Sequence, residues 1–264
     1  MKFLRWSRAL AALVLLIGAA APLAAAEKIG LVLMHGKLSD PNAPFRFISP
    51  YLEREGILIE APEMPWSKHR EFDRSCDEAM TEIDAAVKKL RSRGATRIVI
   101  GGHSQGAAAA LIYAARQPAD GLLLLALGHS PQTSVLQERF AESVARAKQQ
   151  TAAGKGDEKD KFDDFDASKK PPAYTVRTTA RIYLSYFDPE GPANTMKSAA
   201  AIPSGVPVLW VTGTNENPGL KGYGEKLYAA ISSQAKKYIE VDGGHTDVPT
   251  AAKEAAADWL KTLR

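Results

Sequence analysis

The sequence predicts an α/β fold: a mainly parallel central sheet flanked by helices. Strand-like apolar runs alternate with helix-like ones, which is the order that places crossover helices between parallel strands. Glycine or proline closes most of these runs. Residues suited to chemistry recur just after strand-like runs, at "HG" (His35-Gly36), "GHSQG" (Gly102 to Gly106) and "GGH" (Gly243 to His245). In such sheets the carboxyl ends of the strands gather the functional groups.

The elements follow in order. "KIGLVLMHG" (Lys28 to Gly36) reads as a buried strand ending in a turn. "PFRFISPYLEREG" reads as a helix stopped at Gly56, and "ILIEAP" as a second strand closed by Pro62. A helix opens on the capping box Ser75 to Glu78 and carries the stripe Cys76, Met80, Ile83, Val87 and Leu90 at spacings of three and four. Gly94 ends it. "RIVIG" is a third strand, with a helix from Gln105 to about Gln117. "GLLLLAL", "VPVLWVTG" and "KKYIEV" supply the fourth to sixth strands, and an amphipathic helix runs from about Pro249 to Leu263.

The long segment between the fourth and fifth strands opens with a helix, about Thr133 to Gln150. "GKGDEKDKFDDFDASKKPP" follows and reads as a solvated, mobile loop, since it lacks the spacing and glycine of a calcium loop. "TARIYLSYFDPEGPANTM" fits strand or helix equally, so the conformation of 151–190 stays open.

Residues 1–26 read as a secretory signal peptide: Lys2, Arg5 and Arg8, an apolar run from Ala9 to Ala21, then small residues with cleavage expected after Ala26. The apolar run is short for a membrane span. The expectation is a periplasmic or secreted protein with no stable membrane span in its mature form. The full chain carries 34 Lys+Arg against 30 Asp+Glu. Removing the three basic leader residues leaves a mature chain near neutral. No basic cluster points to nucleic acid. The single cysteine, Cys76, excludes an intrachain disulfide and sits on the apolar stripe. Nothing in the sequence speaks to oligomeric state.

The glycine-flanked serine is the strongest signal. Strand, Gly-x-Ser-x-Gly and helix make a sharp turn that lifts the Ser104 hydroxyl to the tip, with the N-terminus of the next helix behind it. A serine hydroxyl needs a base, and the base an orienting acid. His245, after the last strand, is the expected base. His129 also follows a strand and is read as a pocket-rim residue, while His35 and His103 are read as structural. Glu216 in "GTNENP" is the favoured acid, with Asp188 next; Asp242 and Asp247 lie so near His245 that they suit loop shaping better. The backbone N–H groups of Gln105 and Lys37 are the expected oxyanion donors. Met64 and Trp66 in "APEMPW" fit either an acyl pocket or the core, and "YLSYF" is a candidate aromatic cover.

Together "LVLMHGK", "GGHSQGA", "PVLWVTGTNE" and "DGGHTD" resemble the α/β-hydrolase superfamily, similar to small carboxylesterases, thioesterases and dienelactone-hydrolase-like proteins. The resemblance implies one domain over 27–264, a minimal form of that fold lacking its first two strands, with a lid-like insertion at about 129–203. It implies a Ser104, acid, His245 triad acting on a small-molecule ester or thioester, with no metal or organic cofactor. Glu at the acid position departs from the commoner Asp. The rival readings are a catalytically silent member that binds a ligand or envelope partner, or peptide cleavage or transacylation on the same fold. A nucleotide-binding fold is disfavoured because the first strand ends in "HGKLSD" rather than a glycine-rich phosphate loop.

Overall fold

The computed structural model describes residues 27–167 and 170–264; the expected leader lies outside the described residues. The first strands and helices are β1 (Ile29–Met34), α1 (Ile48–Arg54), β2 (Leu58–Glu60), α2 (Cys76–Ser92), β3 (Arg97–His103), α3 (Gln105–Ala114) and β4 (Gly121–Leu125). After them come α4 (Ser134–Ala152), β5 (Lys159–Phe165), β6 (Ala173–Thr179), α5 (Ala180–Phe187) and α6 (Thr195–Ala200). The chain then returns through β7 (Val208–Gly213), α7 (Pro218–Ala230), β8 (Lys236–Val241), α8 (Val248–Ala251) and α9 (Lys253–Lys261).

Six strands form one sheet in the order β2-β1-β3-β4-β7-β8, and every neighbouring pair is parallel. The four central strands are apolar on both faces because both faces are covered. Val32, Ile98, Ile100, Leu122, Leu124 and Trp210 enter one core with α2 and α3. Ile29, Leu31, Val99, Leu123, Leu125 and Val211 enter the other with α1 and α9. The chain runs from β1 outward to β2, then back across to β3 on β1's other side. This reversal opens a crevice at the carboxyl ends of β1 and β3, where a ligand is expected in such sheets.

Helix α2 begins with the predicted capping box, both halves of it formed between Ser75 and Glu78. Burial at the start of this helix pushes the Cys76 thiol up to about 12, so it is held protonated. Helix α3 is buried all round, which its run of alanines allows at close quarters. The terminal helix is broken at Ala252 into α8 and α9.

One expectation is overturned. The charged stretch read as a mobile loop forms β5, paired antiparallel with β6 from Lys159↔Thr179 to Phe165↔Ala173. Its charges stand mostly on the outer face, while Phe162, Asp164, Val176 and Thr178 point inward and are buried. The dense charge hid an ordinary two-residue alternation. The undecided stretch after it is helical, as α5 and α6.

Candidate active site

Ser104 occupies a backbone conformation (φ 56°, ψ −119°) that side-chain-bearing residues rarely adopt, a strain of about 1–3 kcal/mol. Close packing enforces it. A Cβ on Gly106 would lie 2.0 Å from the Met34 carbonyl oxygen, and one on Gly102 would lie 2.4 Å from the Gly106 carbonyl carbon. Only glycines let β1, β3 and α3 meet this tightly, and the turn that results leaves Ser104 partly exposed at its tip.

His245 arrives from the loop after β8. Gly243 there has φ 118°, and a Cβ on Gly213 would lie 2.4 Å from the Gly243 carbonyl oxygen, so the ends of β7 and β8 touch only through glycine. Asp247 shapes the same loop by accepting from the Gly244 N–H at 2.9 Å. His103 fixes it from below, its Nε2–H donating to the His245 carbonyl at 2.9 Å.

Glu216 lies two positions after Thr214 in the loop between β7 and α7. Its Oε2 sits 2.7 Å from His245 Nδ1, with side-chain exposures of 3% and 11%. The other oxygen, Oε1, accepts the Asn217 N–H at 2.8 Å. That bond holds the second carboxylate oxygen against the start of α7. Burial alone would raise the Glu216 carboxyl; the His245 hydrogen bond and charge outweigh it and hold the carboxyl below its usual range. Asp188, the runner-up, is engaged 2.8 Å from Lys148 instead.

Ser104 Oγ and the His245 ring flank one point. A Cβ built on Gly128 would lie 2.9 Å from Ser104 Oγ and 3.7 Å from His245 Cε1. The structure draws no hydrogen bond between the two side chains. Among the described residues, the Lys37 and Gln105 backbone N–H groups donate to no protein acceptor. Both therefore remain available beside Ser104.

Two cavities open on Ser104 and His245. One, of ≈ 230 Å³, is lined by Leu127, Leu136, Phe165, Leu220 and Tyr223, with His129 at its wall. The other, of ≈ 220 Å³, is lined by Ser39, Pro44, His103 and Thr246. Asp166, just past the end of β5, borders both.

Met64 and Trp66 do not line the Ser104 cavities. Both are fully buried in the α2–α3 core. Trp66 Nε1–H donates to the His35 carbonyl at 2.8 Å, and the Met64 N–H donates to His35 Nε2 at 3.0 Å. The Leu38 N–H in turn donates to the Trp66 carbonyl at 2.8 Å. The loop after β2 is thus a buttress for the loop after β1, and the indole is spent on that bond. This was not readable from "APEMPW", where an apolar pair after a strand suits wall or core alike.

The Lys37 side chain was also unforeseen. Its Nζ lies 2.6 Å from Asp164 Oδ1, and the two side chains are 4% and 0% exposed. His129 donates from Nε2 to the Tyr186 carbonyl at 2.9 Å. Burial, with Lys37 nearby as a second cause, pushes His129 down to about 3. His103 is likewise held down to about 3, by burial and then by the His245 charge. Both rings are therefore neutral and carry their proton on Nε2.

No curated protein gives a significant sequence match. Several solved structures share the fold. A Paleococcus ferrophilus monoacylglycerol lipase is 20% identical with a TM-score of 0.62, over 89% of this chain and 95% of that one. A thermostable carboxyl esterase from Bacillus coagulans is 15% identical at 0.62, over 90% and 91%. A structure from work on two metagenome-derived lipolytic enzymes is 17% identical at 0.61, over 90% and 94%. The family described as Serine aminopeptidase, S33 (Hydrolase_4) matches residues 67–246, which span the Ser104 turn, Glu216 and His245. With its all-parallel sheet and strained serine turn, the chain belongs to this family of α/β hydrolases.

Proposed function

We propose that the protein is a serine hydrolase that cleaves a carboxylic ester or thioester through an acyl-enzyme. One observation carries the reading: a part-buried His245–Glu216 pair at 2.7 Å, whose imidazole shares a cavity with a serine on a strained turn. Ser104 Oγ attacks the substrate carbonyl while His245 takes its proton. Glu216 holds the Nδ1–H and stabilises the imidazolium. The Lys37 and Gln105 N–H groups receive the oxyanion; losing one such donor raises the barrier by about 2.7–4 kcal/mol. Collapse expels the alcohol or thiol, which takes its proton from His245. Water then attacks the acyl-enzyme with the same base, and a carboxylic acid leaves.

The leucine-rich cavity suits an apolar acyl group, and the cavity bordered by Ser39 and Thr246 a more polar leaving group. The leader-like residues 1–26 support action in the periplasm or outside the cell, tested by whether the exported protein begins at Glu27.

A fluorophosphonate probe should label the wild type, with the modified peptide containing Ser104. Ser104→Ala should fold normally and take no label. Equal labelling of the variant defeats the assignment. Parallel assays with p-nitrophenyl esters, thioesters and amino-acid p-nitroanilides separate ester cleavage from peptide cleavage, and silence on all of them would favour the ligand-binding alternative.

A further inference from the structure

The β5–β6 hairpin forms a two-stranded sheet of its own. Two strands are marginal alone, so this one depends on docking. Its inward face does so chiefly by apolar and aromatic contact. Phe162 stacks on Tyr183 at 4.5 Å, Tyr183 on Phe187 at 4.3 Å, and Thr178 Oγ1–H donates to the Phe72 carbonyl at 2.6 Å.

Asp164 breaks the pattern. It stands two residues after Phe162 on the same buried face, where the alternation calls for another apolar side chain. Its carboxylate meets Lys37, which comes from the loop after β1, 127 residues earlier. Lys37 Nζ also donates to the Phe165 carbonyl at 3.2 Å. The same ammonium lies 5.7 Å from the centre of the Phe187 ring. Immediately beyond, Phe165, Asp166 and Ala167 form part of the wall of the Ser104 cavity.

Stability alone is a poor reason for this pair. Burying two charges costs about as much as their attraction returns, and an apolar pair of like volume is often as stable or more so. Direction is what the pair adds. A one-residue slip of β5 would turn Asp164 outward and strand Lys37. The bond therefore ties one hairpin register to one placement of the loop that carries the Lys37 N–H.

We propose that Asp164 is a positioning residue: through Lys37 it locks the hairpin in register over the cavity and holds the loop after β1 in place for oxyanion binding. The catalytic half of this rests on the hydrolase reading above; the structural half does not. Asp164 lines neither cavity; its Oδ1 also accepts the Phe165 N–H at 2.7 Å within the hairpin, and it reaches the loop after β1 through Lys37.

The test uses the full chain, as wild type, Asp164→Asn and the double variant Lys37→Met/Asp164→Leu. Three measurements are made: hydrogen exchange of peptides covering 159–165 and 173–179, melting temperature, and kcat and KM for p-nitrophenyl butyrate per labelled Ser104. For Asp164→Asn, hairpin amides should exchange about ten-fold faster or more. Its kcat should fall by about ten- to a hundred-fold, outpacing any rise in KM. The double variant should melt near the wild-type temperature, yet recover neither kcat nor hairpin protection. Unchanged hairpin exchange in Asp164→Asn overturns the lock whatever the activity. Recovery of wild-type kcat in the double variant overturns the positioning role and leaves a merely stabilising pair. A wild type with no reactivity at Ser104 but the expected exchange changes would sink the hydrolase reading while upholding the lock.

Discussion

Acid should unfold this protein through two histidines that the mechanism does not use as bases. His103 and His129 are buried, neutral and committed by Nε2–H bonds to backbone carbonyls. Protonating either would put a second N–H into the interior; His129 Nδ1 has no partner there. In the folded state both rings are held down to about 3, against 6.5 when solvated. The sign follows. Between those values the unfolded chain binds a proton that the folded chain does not, so stability is full above pH 6.5 and falls as pH drops through the window. Moving from pH 8 to pH 5 should remove about 2 kcal/mol for each of these two histidines, about 4 kcal/mol for the pair, and His35, also held down by burial, adds in the same direction. That is a large share of the ~5–15 kcal/mol typical of a domain.

Two buried carboxyls near the site are shifted as well. Glu216, held below its usual range, stays ionised from pH 5 to 8 and adds no slope there. Asp164 is pushed up by burial against the opposing Lys37 charge, so its contribution has the opposite sign. A paired variant separates these effects. His129→Gln keeps an N–H near the Nε2 position and cannot titrate. Urea unfolding at fixed ionic strength, at pH 8, 6.5 and 5, should show the variant losing about 2 kcal/mol less than the wild type over the whole range, with the Asp164 contribution cancelling in the difference. If both proteins lose the same stability to within about 0.5 kcal/mol, His129 is not a buried neutral ring.

Two further outcomes test the site. Glu216→Gln preserves shape but leaves His245 Nδ1–H without a charged partner, and kcat for p-nitrophenyl butyrate should fall by about 10²- to 10⁴-fold with little change in melting temperature; a loss under ten-fold would point to another acid. Gly128→Ala would set a methyl 2.9 Å from Ser104 Oγ and 3.7 Å from His245 Cε1. Fluorophosphonate labelling should slow by about ten-fold or more while the fold persists, and an unchanged rate would mean that Ser104 and His245 do not meet there.

Local pattern alone was enough for the sheet and for the strained turn that carries Ser104. The apolar runs from Ile29 to Met34 and Gly121 to Leu125 are strands because both faces are buried, and burial writes itself into consecutive residues. Gly102, Ser104 and Gly106 announce their turn because no larger neighbour fits against Met34. The partnership of Glu216 with His245 was proposed from chain order, but its 2.7 Å contact and the Asn217 bond that shapes it exist only once β7 and β8 lie side by side.

Other features had no local trace. Lys37 and Asp164 are 127 residues apart, and neither shows in sequence that it will be buried. The charges of "KDKFDDF" masked a strand, since which face a charge occupies is decided by what docks beneath it. Trp66 became a buttress rather than a pocket wall because its indole N–H met the His35 carbonyl. Periodicity and turn chemistry act between near neighbours and are legible along the chain. Charge pairing, buttressing and cavity walls depend on contacts between distant segments, and those are set only when the chain closes on itself.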